Sequence, residues 1–306
     1  MSDPSTVLAG PPRRRRGARP RNLTPYLLIV PFAVVIVGFL IYPLCDAIYL
    51  SLTRWNMLTS ASPTFVGPST FGRLFQDAVF WSSLGRTCIW TVGTLLVEYA
   101  VGFPLALALN YRTRLTGLAT GLMLLPWVTP TVVCAYAWTW ILNSQYGFLY
   151  ALLHSLHLFG SMSPLASYDS ALPMVTVVSG WKGVPYMAVA LLAALKAIPV
   201  EQYEAARIDG ASVLGLHRYI TLPAVRATAI VIGLLLGIGA FYSFDFAWLM
   251  TNGGPGDATQ LTAIYLFKTF QYDMKWSYAA NIGMAMFAIL GVAVIIYLRI
   301  ARPNAD

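Results

Sequence analysis

The stretch EAARIDGASVLGLHRYITLP, residues 204–223, separates two long apolar segments and is rich in helix-forming residues. Pro199 suits the first turn of a helix, and the carboxylate of Glu204 favours the positive N-terminal half of that helix. Gly210 permits the positive φ that a chain reversal requires. A second helical run is expected over residues 211–219. The stretch therefore predicts a short helix, a turn and a second helix outside the apolar segments.

The composition indicates an integral membrane protein. Hydrophobic residues make up 58% of the chain and charged residues 10%, whereas a soluble domain has about 25% charged residues. Several apolar segments reach the roughly 20 residues that a helix needs to cross a bilayer, and none alternates as a barrel strand does. The six predicted spans lie near residues 26–50, 87–109, 118–142, 172–195, 224–250 and 279–299. We therefore expect an all-α integral membrane protein with six transmembrane helices.

The distribution of Lys and Arg predicts the orientation of the chain. Fourteen of the 20 basic residues fall in the termini and in the second and fourth loops, which share one side if six helices alternate. Both termini and the 204–223 stretch are therefore expected in the cytoplasm. The RRRR run at 13–16 precedes a span too long for a signal peptide, so contact with anionic lipid explains it better than nucleic-acid binding or twin-arginine export. Residues 1–22 are expected to be a disordered basic tail, and residues 23–302 a single transmembrane domain.

The spacing within residues 204–223 resembles the EAA signature of bacterial ABC importer permeases. The EAA triplet, a glycine after three further residues and the closing ITLP all occur at the family spacing. The resemblance implies a cytoplasmic coupling helix that fits a groove of an ATPase subunit, within a coupling loop at 199–223. The coupling residues that it implies are Glu204, Ala205, Ala206, Asp209 and Gly210.

Other motifs of the same family occur along the chain in the family's order. LLPWVTPTVV (124–133), GWKGVPYMA (180–188) and TNGGP (251–255) look like segments of carbohydrate permeases of the maltose-importer type. The resemblance implies an ABC importer type I permease fold that works by alternating access. It also implies a second permease, two ATP-binding cassette ATPase subunits and an external sugar-binding lipoprotein as partners, besides membrane lipid.

Nucleotide and metal chemistry are not expected in this chain. It has no G-x-x-x-x-G-K-[ST] loop, and NGGPG at 252–256 lacks a lysine for phosphate, so a turn is expected there. Its three cysteines are dispersed without metal-ligand spacing. We therefore expect neither a catalytic residue nor a metal or cofactor site, with ATP and Mg bound by the partner ATPase subunits.

The resemblance also implies positions that face the sugar. A neutral sugar needs an aromatic face and a few oriented hydrogen-bonding groups. In maltose-type permeases such groups lie in the segments similar to LPWVTPT and SGWKGVPY. Carried over by position, they are Trp127, Thr131, Ser179, Lys182, Gly183 and Tyr186. Trp127 is expected to supply a stacking face, and Tyr186 a hydroxyl.

The fifth predicted span adds a third set, in FYSFDFAWL at 241–249. Counting back from TNGGP places Ala240 and Ser243 at sugar-facing positions of the family, with Tyr242 and Asp245 nearby. Ala240 has no polar group there, so either the ligand geometry differs from that of the family or this helix contributes less.

Three charged residues fall within predicted spans. A charge near a helix centre costs about 2.5–3.5 kcal/mol on insertion scales, so such a residue is expected to have a partner. Lys182 and Asp245 either pair with each other or bind sugar hydroxyls. The same two alternatives apply to Glu98, for which packing or a subunit contact is the favoured expectation. Pro126 and Pro130 are expected to interrupt the third span, which frees backbone groups or simply kinks the helix for packing.

The substrate stays open between several solutes. The whole chain most resembles permeases of actinobacterial trehalose importers, but maltose or another oligosaccharide fits the same residues. Glycerol 3-phosphate would need a stronger anion-binding cluster than Lys182 alone. An ion-coupled secondary transporter would need coupling carboxylates and no coupling loop, and a membrane enzyme would need a nucleophile or an acid pair.

Overall fold

The computed structural model describes residues 24–111, 114–157 and 162–301. The tail predicted to be disordered, residues 1–22, lies outside the described residues. The same holds for Arg112 and Arg302, two of the basic residues used to predict orientation.

The chain divides into two compact units, residues 1–47 and residues 48–306. The described part of the first unit contains α1 (Thr24–Ile36), a π-helical segment (Val37–Ile41) and the start of α2 (Tyr42–Ser51). Leu28–Ser51 forms an apolar helical stretch of 24 residues with a mean hydropathy of 2.6, which is long enough to cross a membrane.

The second unit is built mostly from helices. They are α3 (Thr70–Phe75), α4 (Ala78–Asn110), α5 (Thr116–Val128), α6 (Thr131–Ile141), α7 (Phe148–Ser155), α8 (Tyr168–Lys196), α9 (Val200–Ile208), α10 (Val213–Leu216), α11 (Leu222–Phe241), α12 (Asp245–Thr251), α13 (Thr262–Gln271) and α14 (Trp276–Ala301). Two short strands, β1 (Thr53–Arg54) and β2 (Thr64–Phe65), pair antiparallel with Thr53 opposite Phe65.

The described residues contain five helices that are long and apolar enough to cross a membrane, and a bent helix pair makes a sixth span. The predicted all-α membrane fold is therefore confirmed. The second span begins at Ala78 rather than near residue 87, because the Asp77 carboxylate caps α4. It accepts hydrogen bonds from the backbone N–H of Val79 at 2.8 Å and of Phe80 at 3.3 Å.

The third predicted span, 118–142, is not one straight helix. The axes of α5 and α6 differ by 96° across a short break. Pro126 lies in the last turn of α5 and Pro130 caps α6, where each ring removes an N–H that a continuous helix would use. The expected interruption by these prolines is confirmed.

The fifth predicted span, 224–250, is wrong at both ends. One continuous helix covers Val213–Phe241. The second helical run expected at 211–219 therefore forms, but it continues into the span instead of ending before it. This run consists of α10 and the π-helical segment His217–Thr221, which leads into α11. Hydropathy merges α11 with α12 because both are apolar. Asp245 instead lies in the first turn of α12, where an acidic side chain stabilises a new helix start.

Helices α4 and α8 pack closely along each other because each presents small residues to its partner. A Cβ added at Gly102 on α4 would lie 2.8 Å from the side chain of Met187, and one added at Gly180 on α8 would lie 2.7 Å from Val97. Small residues allow membrane helices to approach in this way. The α4–α8 pair forms one wall of the site described next.

Candidate functional site

A cavity of about 270 Å³ lies between α4, the α5–α6 break, α8 and the junction of α11 with α12. Seven of the nine predicted ligand-contacting residues line it: Trp127, Thr131, Ser179, Lys182, Gly183, Ser243 and Asp245. These residues come from three sequence segments that are far apart in the chain. The structure thus brings most of the predicted set to one place, while their contact with a sugar stays a prediction.

Lys182 contacts the backbone at the α5–α6 break. Its Nζ donates to the carbonyl oxygen of Thr129 at 2.7 Å, of Pro126 at 3.1 Å and of Trp127 at 3.3 Å. These carbonyls accept a side-chain donor because carbonyls at the end of a helix have no partner within it. Lys182 therefore stabilises the break.

The alternative in which Lys182 pairs with Asp245 does not hold in this structure. The two ion pairs that the described residues form are Arg86 with Asp257 and Lys275 with Asp273. Asp245 is exposed at the start of α12 rather than buried at a helix centre. The cost of inserting a charge at a helix centre therefore does not apply to Asp245.

Trp127 supplies an aromatic face at the cavity. Its side chain is 51% exposed, and its ring lies 6.0 Å from that of Tyr186 at an interplanar angle of 31°. Tyr186 is half-buried and contacts Trp127 without lining the cavity itself. Tyr186 therefore orients the indole ring, while the predicted hydroxyl contact with a sugar stays a prediction.

Tyr242 lies outside the cavity lining. It is 42% exposed, and its ring meets that of Phe241 edge-on at 5.7 Å. Ser243, its half-buried neighbour, does line the cavity. Helix α11 ends at Phe241, just before these two residues, so the neighbouring side chains of Tyr242 and Ser243 point into different surroundings.

Two residues of α4 that are not among the nine predicted contacts also line the cavity. Thr94 and Glu98 are 3% and 4% exposed. Gly183 on α8 makes room for the second of them, because a Cβ at this glycine would overlap the Glu98 carboxyl group. Sequence reasoning assigned Glu98 to packing or a subunit contact and did not single out Thr94. Their spacing of four residues, which puts both on one helix face, was the available signal.

The coupling loop forms a helix with a defined end. Pro199 is the N-cap of α9 and precedes its first turn, and Gly210 has the predicted positive φ, at 80°. The N–H of Ala211 donates to the carbonyl of Ala206 at 2.9 Å, and the N–H of Gly210 to that of Arg207 at 3.1 Å. This pair of bonds is the Schellman motif, which satisfies carbonyls at a helix end.

The coupling loop is exposed and joined to the next span. No residue of α9 is buried, and Ile208, Val213 and Leu214 are 87%, 71% and 78% exposed. Such a cluster of exposed apolar side chains marks an interaction surface. The Tyr203 hydroxyl lies 3.0 Å from that of Thr221, so α9 is tied to the helix that continues into the fifth span.

The TNGGP segment forms the predicted turn. Asn252, Gly253 and Gly256 have positive φ values of 53°, 85° and 59°, which suit glycine and asparagine.

Asp257 follows this turn and pairs with Arg86 on α4 at 2.5 Å. Its carboxylate also accepts a hydrogen bond from the Tyr168 hydroxyl at 3.1 Å. Burial raises the pKa of Asp257, but the hydrogen bond and charge of Arg86 outweigh burial and lower this pKa overall. The turn is thereby attached to α4 and α8.

A second carboxylate cluster lies near the start of α4. The hydroxyls of Tyr265, at 2.6 Å, and of Tyr278 donate to the Asp77 carboxylate. Burial raises the pKa of Asp77, but these hydrogen bonds and those from the backbone outweigh burial and lower it overall. Burial and the hydrogen bond to Asp77 raise the pKa of Tyr265 to about 12. Asp77 thus joins the starts of α4 and α14 to α13.

A protein family model matches residues 98–303, and its description is binding-protein-dependent transport system inner membrane component. The chain belongs to this family. The match includes the α5–α6 break, the cavity residues of α8 and the whole coupling loop. This permease is therefore a multi-pass inner membrane component and not an enzyme.

Individual relatives and solved structures agree with this assignment. The trehalose/maltose transport system permease protein MalF of Thermococcus litoralis is 32% identical over 284 residues, which are 92% of this chain and 94% of that protein. The sulfoquinovosyl glycerol transport system permease protein SmoG of Agrobacterium fabrum is 28% identical over 92% of each chain. A bacterial ABC transporter involved in the import of the acidic polysaccharide alginate superposes with a TM-score of 0.78 at 20% identity, over 94% of this chain and 97% of that one. That structure shows the shared type I permease fold.

Family membership also distinguishes a binding-protein-dependent permease from an ion-coupled secondary transporter. Permeases of a binding-protein-dependent system work with a binding protein, a second permease and ATPase subunits. An ion-coupled secondary transporter, the alternative considered from the sequence, is therefore wrong.

Proposed function

We propose that this permease and a second permease form the pathway of an ATP-driven importer for a neutral di- or oligosaccharide, with trehalose as the first candidate. The observation that carries this proposal is the cavity in which the Trp127 indole stands beside hydroxyl and carboxyl groups from several helices. An aromatic face and a few hydrogen-bonding groups are what a neutral sugar needs. The relative in Thermococcus litoralis is named for trehalose and maltose, so maltose is the second candidate.

The cavity favours a neutral sugar over an anionic solute. Other relatives are named for sulfoquinovosyl glycerol or for the acidic polysaccharide alginate. Among the described residues, Lys182 is the one basic side chain that lines the cavity, and its ammonium already has three carbonyl acceptors. Glu98 and Asp245 add two carboxyl groups. Glycerol 3-phosphate, the further alternative, would meet the same carboxyl groups.

ATP-driven force enters this permease at the coupling loop. Helix α9 presents Glu204 and Ala205 on an exposed surface, where a groove of an ATPase subunit can receive them. The hydrogen bond between Tyr203 and Thr221 then transmits the movement of α9 to the fifth span. Asp209 and Gly210 end the helix and fix the direction of the following chain. ATP binding would open the pathway outward and hydrolysis would reset it, which is a transmitted two-state change.

This mechanism requires the coupling loop and both termini in the cytoplasm, as the positive-inside rule predicts. The sugar-delivery protein then docks on the opposite side, where the TNGGP turn at 251–255 lies in the alternating topology. ATP and Mg belong to the ATPase subunits, and this chain needs no cofactor of its own.

Uptake of labelled sugars by the complete complex tests the proposed function. The complex of both permeases, the ATPase subunits and the binding protein is reconstituted in liposomes loaded with ATP. Labelled trehalose, maltose and glycerol 3-phosphate are then offered separately. We expect ATP-dependent uptake of trehalose, or of maltose as the second candidate. Uptake of glycerol 3-phosphate and of neither disaccharide would overturn the assignment.

A further inference from the structure

The α4 wall of the cavity carries two buried polar groups without partners. The Oγ1 atom of Thr94 and the Oε2 atom of Glu98 make no hydrogen bond with any described residue. Both side chains are more than nine-tenths buried, and both line the cavity. Buried polar groups are normally hydrogen-bonded, so each such exception requires an explanation.

Two further buried polar atoms of α4, Ser83 Oγ and Trp90 Nε1, also lack hydrogen-bond partners among the described residues. Neither residue lines the cavity, so position at the cavity is what distinguishes Thr94 and Glu98.

Thr91 precedes Thr94 by three residues on α4. Its hydroxyl donates to the carbonyl of Thr87 at 2.8 Å, as threonines in helices commonly do. Thr87 itself donates to the carbonyl of Ser83 at 2.8 Å and lies 2.9 Å from the hydroxyl of Thr262. The helix therefore satisfies its other buried threonine, whereas the hydroxyl of Thr94 remains available at the cavity.

The geometry points to a ligand subsite formed by Thr94 and Glu98, which binds hydroxyl groups of a neutral, polyhydroxylated ligand. This inference rests on the proposed function. The two residues are one helical turn apart on α4, so they present two hydrogen-bonding groups along one face. A sugar hydroxyl both donates and accepts, and so it can satisfy a threonine hydroxyl and a carboxyl group at once.

The position of this subsite complements the aromatic side of the cavity. Trp127 stands at the α5–α6 break, whereas Thr94 and Glu98 stand on α4. Gly183 lies against the Glu98 carboxyl group and admits it beside α8. A sugar ring in the cavity would therefore place a C–H face on the indole and hydroxyls toward α4. The carboxyl group would also disfavour an anionic sugar.

The test compares variants of the complete complex in liposomes with labelled trehalose and maltose as probes. Thr94→Val and Glu98→Leu remove the two polar groups, while Glu98→Gln keeps the shape and the hydrogen bonding of the side chain. Thr91→Val is the matched control, because it removes a threonine hydroxyl from the same helix but outside the cavity. Sugar imported per ATP hydrolysed is the readout, since a defect in folding or assembly lowers both quantities together.

We expect Thr94→Val and Glu98→Leu each to lower this ratio by about three- to tenfold, the range for the loss of one hydrogen bond. ATP hydrolysis stimulated by the sugar-loaded binding protein should persist. Glu98→Gln should retain a higher ratio than Glu98→Leu, because it keeps a hydrogen-bonding group. Thr91→Val should stay within about twofold of the wild type, because it leaves the cavity intact.

Three results would overturn the inference. The first is an unchanged ratio in both Thr94→Val and Glu98→Leu, which leaves the proposed function standing. The second is an equal loss in the Thr91→Val control, which would show a general effect of polar groups on α4. The third is a wild-type complex that imports neither trehalose nor maltose, which would refute the proposed function and the inference with it.

Discussion

Replacement of Lys182 by methionine tests whether this lysine braces the α5–α6 break. Methionine keeps the length of the side chain but removes the ammonium group that donates to the carbonyls of Pro126, Trp127 and Thr129. If Lys182 instead served only as a sugar ligand, its loss would affect transport and leave the stability of the permease unchanged.

The expected magnitude follows from two opposing effects. Loss of the two shorter hydrogen bonds, at 2.7 Å and 3.1 Å, costs about 3–6 kcal/mol at roughly 1.5–3 kcal/mol for each bond to a charged group. Lys182 lies at the middle of α8, so removal of its charge regains about 2.5–3.5 kcal/mol on insertion scales. The midpoints of the two ranges leave a net loss of about 1.5 kcal/mol, which corresponds to a decrease in Tm of about 2 °C for a chain of roughly 300 residues.

The assay is thermal unfolding of the purified permease complex in detergent, with sugar uptake measured in parallel. Lys196→Met is the matched control, because Lys196 is exposed at the end of the same helix. We expect a lower Tm for Lys182→Met and an unchanged Tm for the control. A wild-type Tm together with lost uptake would refute the bracing role and return Lys182 to the ligand-binding residues.

Three further predictions address the coupling loop, the aromatic face and the extramembrane carboxylate. Glu204→Lys should leave membrane insertion intact but separate ATP hydrolysis from uptake, and normal uptake would refute the coupling role. Trp127→Ala should lower uptake about tenfold through loss of the stacking face, with ATPase subunits still recovered on purification; unchanged uptake would remove Trp127 from the site. The pKa of Asp77 is lowered in the folded state, so its stabilising effect is complete above about pH 4 and is lost as the pH falls through the folded pKa. Thermal unfolding between pH 7 and pH 3 should therefore show a steeper acid loss in the wild type than in Asp77→Asn, and equal slopes would contradict the role of this carboxylate.

Several features of the fold were readable from the chain because they depend on local chemistry. Apolar length predicts a membrane helix wherever it occurs, and Pro126 and Pro130 interrupt a helix in any context. Gly210 likewise predicts a turn, since few other residues adopt its positive φ. The family motifs added the positions predicted to face a ligand, and the structure gathers most of them at one cavity.

Other features depended on partners that are distant in the sequence. The junction after Phe241 was missed because hydropathy does not distinguish one apolar helix from two. The backbone carbonyls that accept from Lys182 are more than fifty residues away in the sequence. Every residue type has such a carbonyl, so the sequence does not show which carbonyls lose their helical partners at the break. The start of α4 was placed too late because its cap, Asp77, lies in a polar stretch that an apolar count ignores.

The sequence by itself determined that this chain is a helical membrane permease, and its motif spacing predicts a loop for ATPase coupling, since composition, prolines and motif spacing act locally. Only the tertiary structure decided which polar groups share a cavity. Glu98 shows the reason: the chemistry of a lone carboxylate in an apolar helix depends on what lies opposite. Here Gly183 admits its carboxyl group beside α8, and Thr94 stands one turn away on the same face.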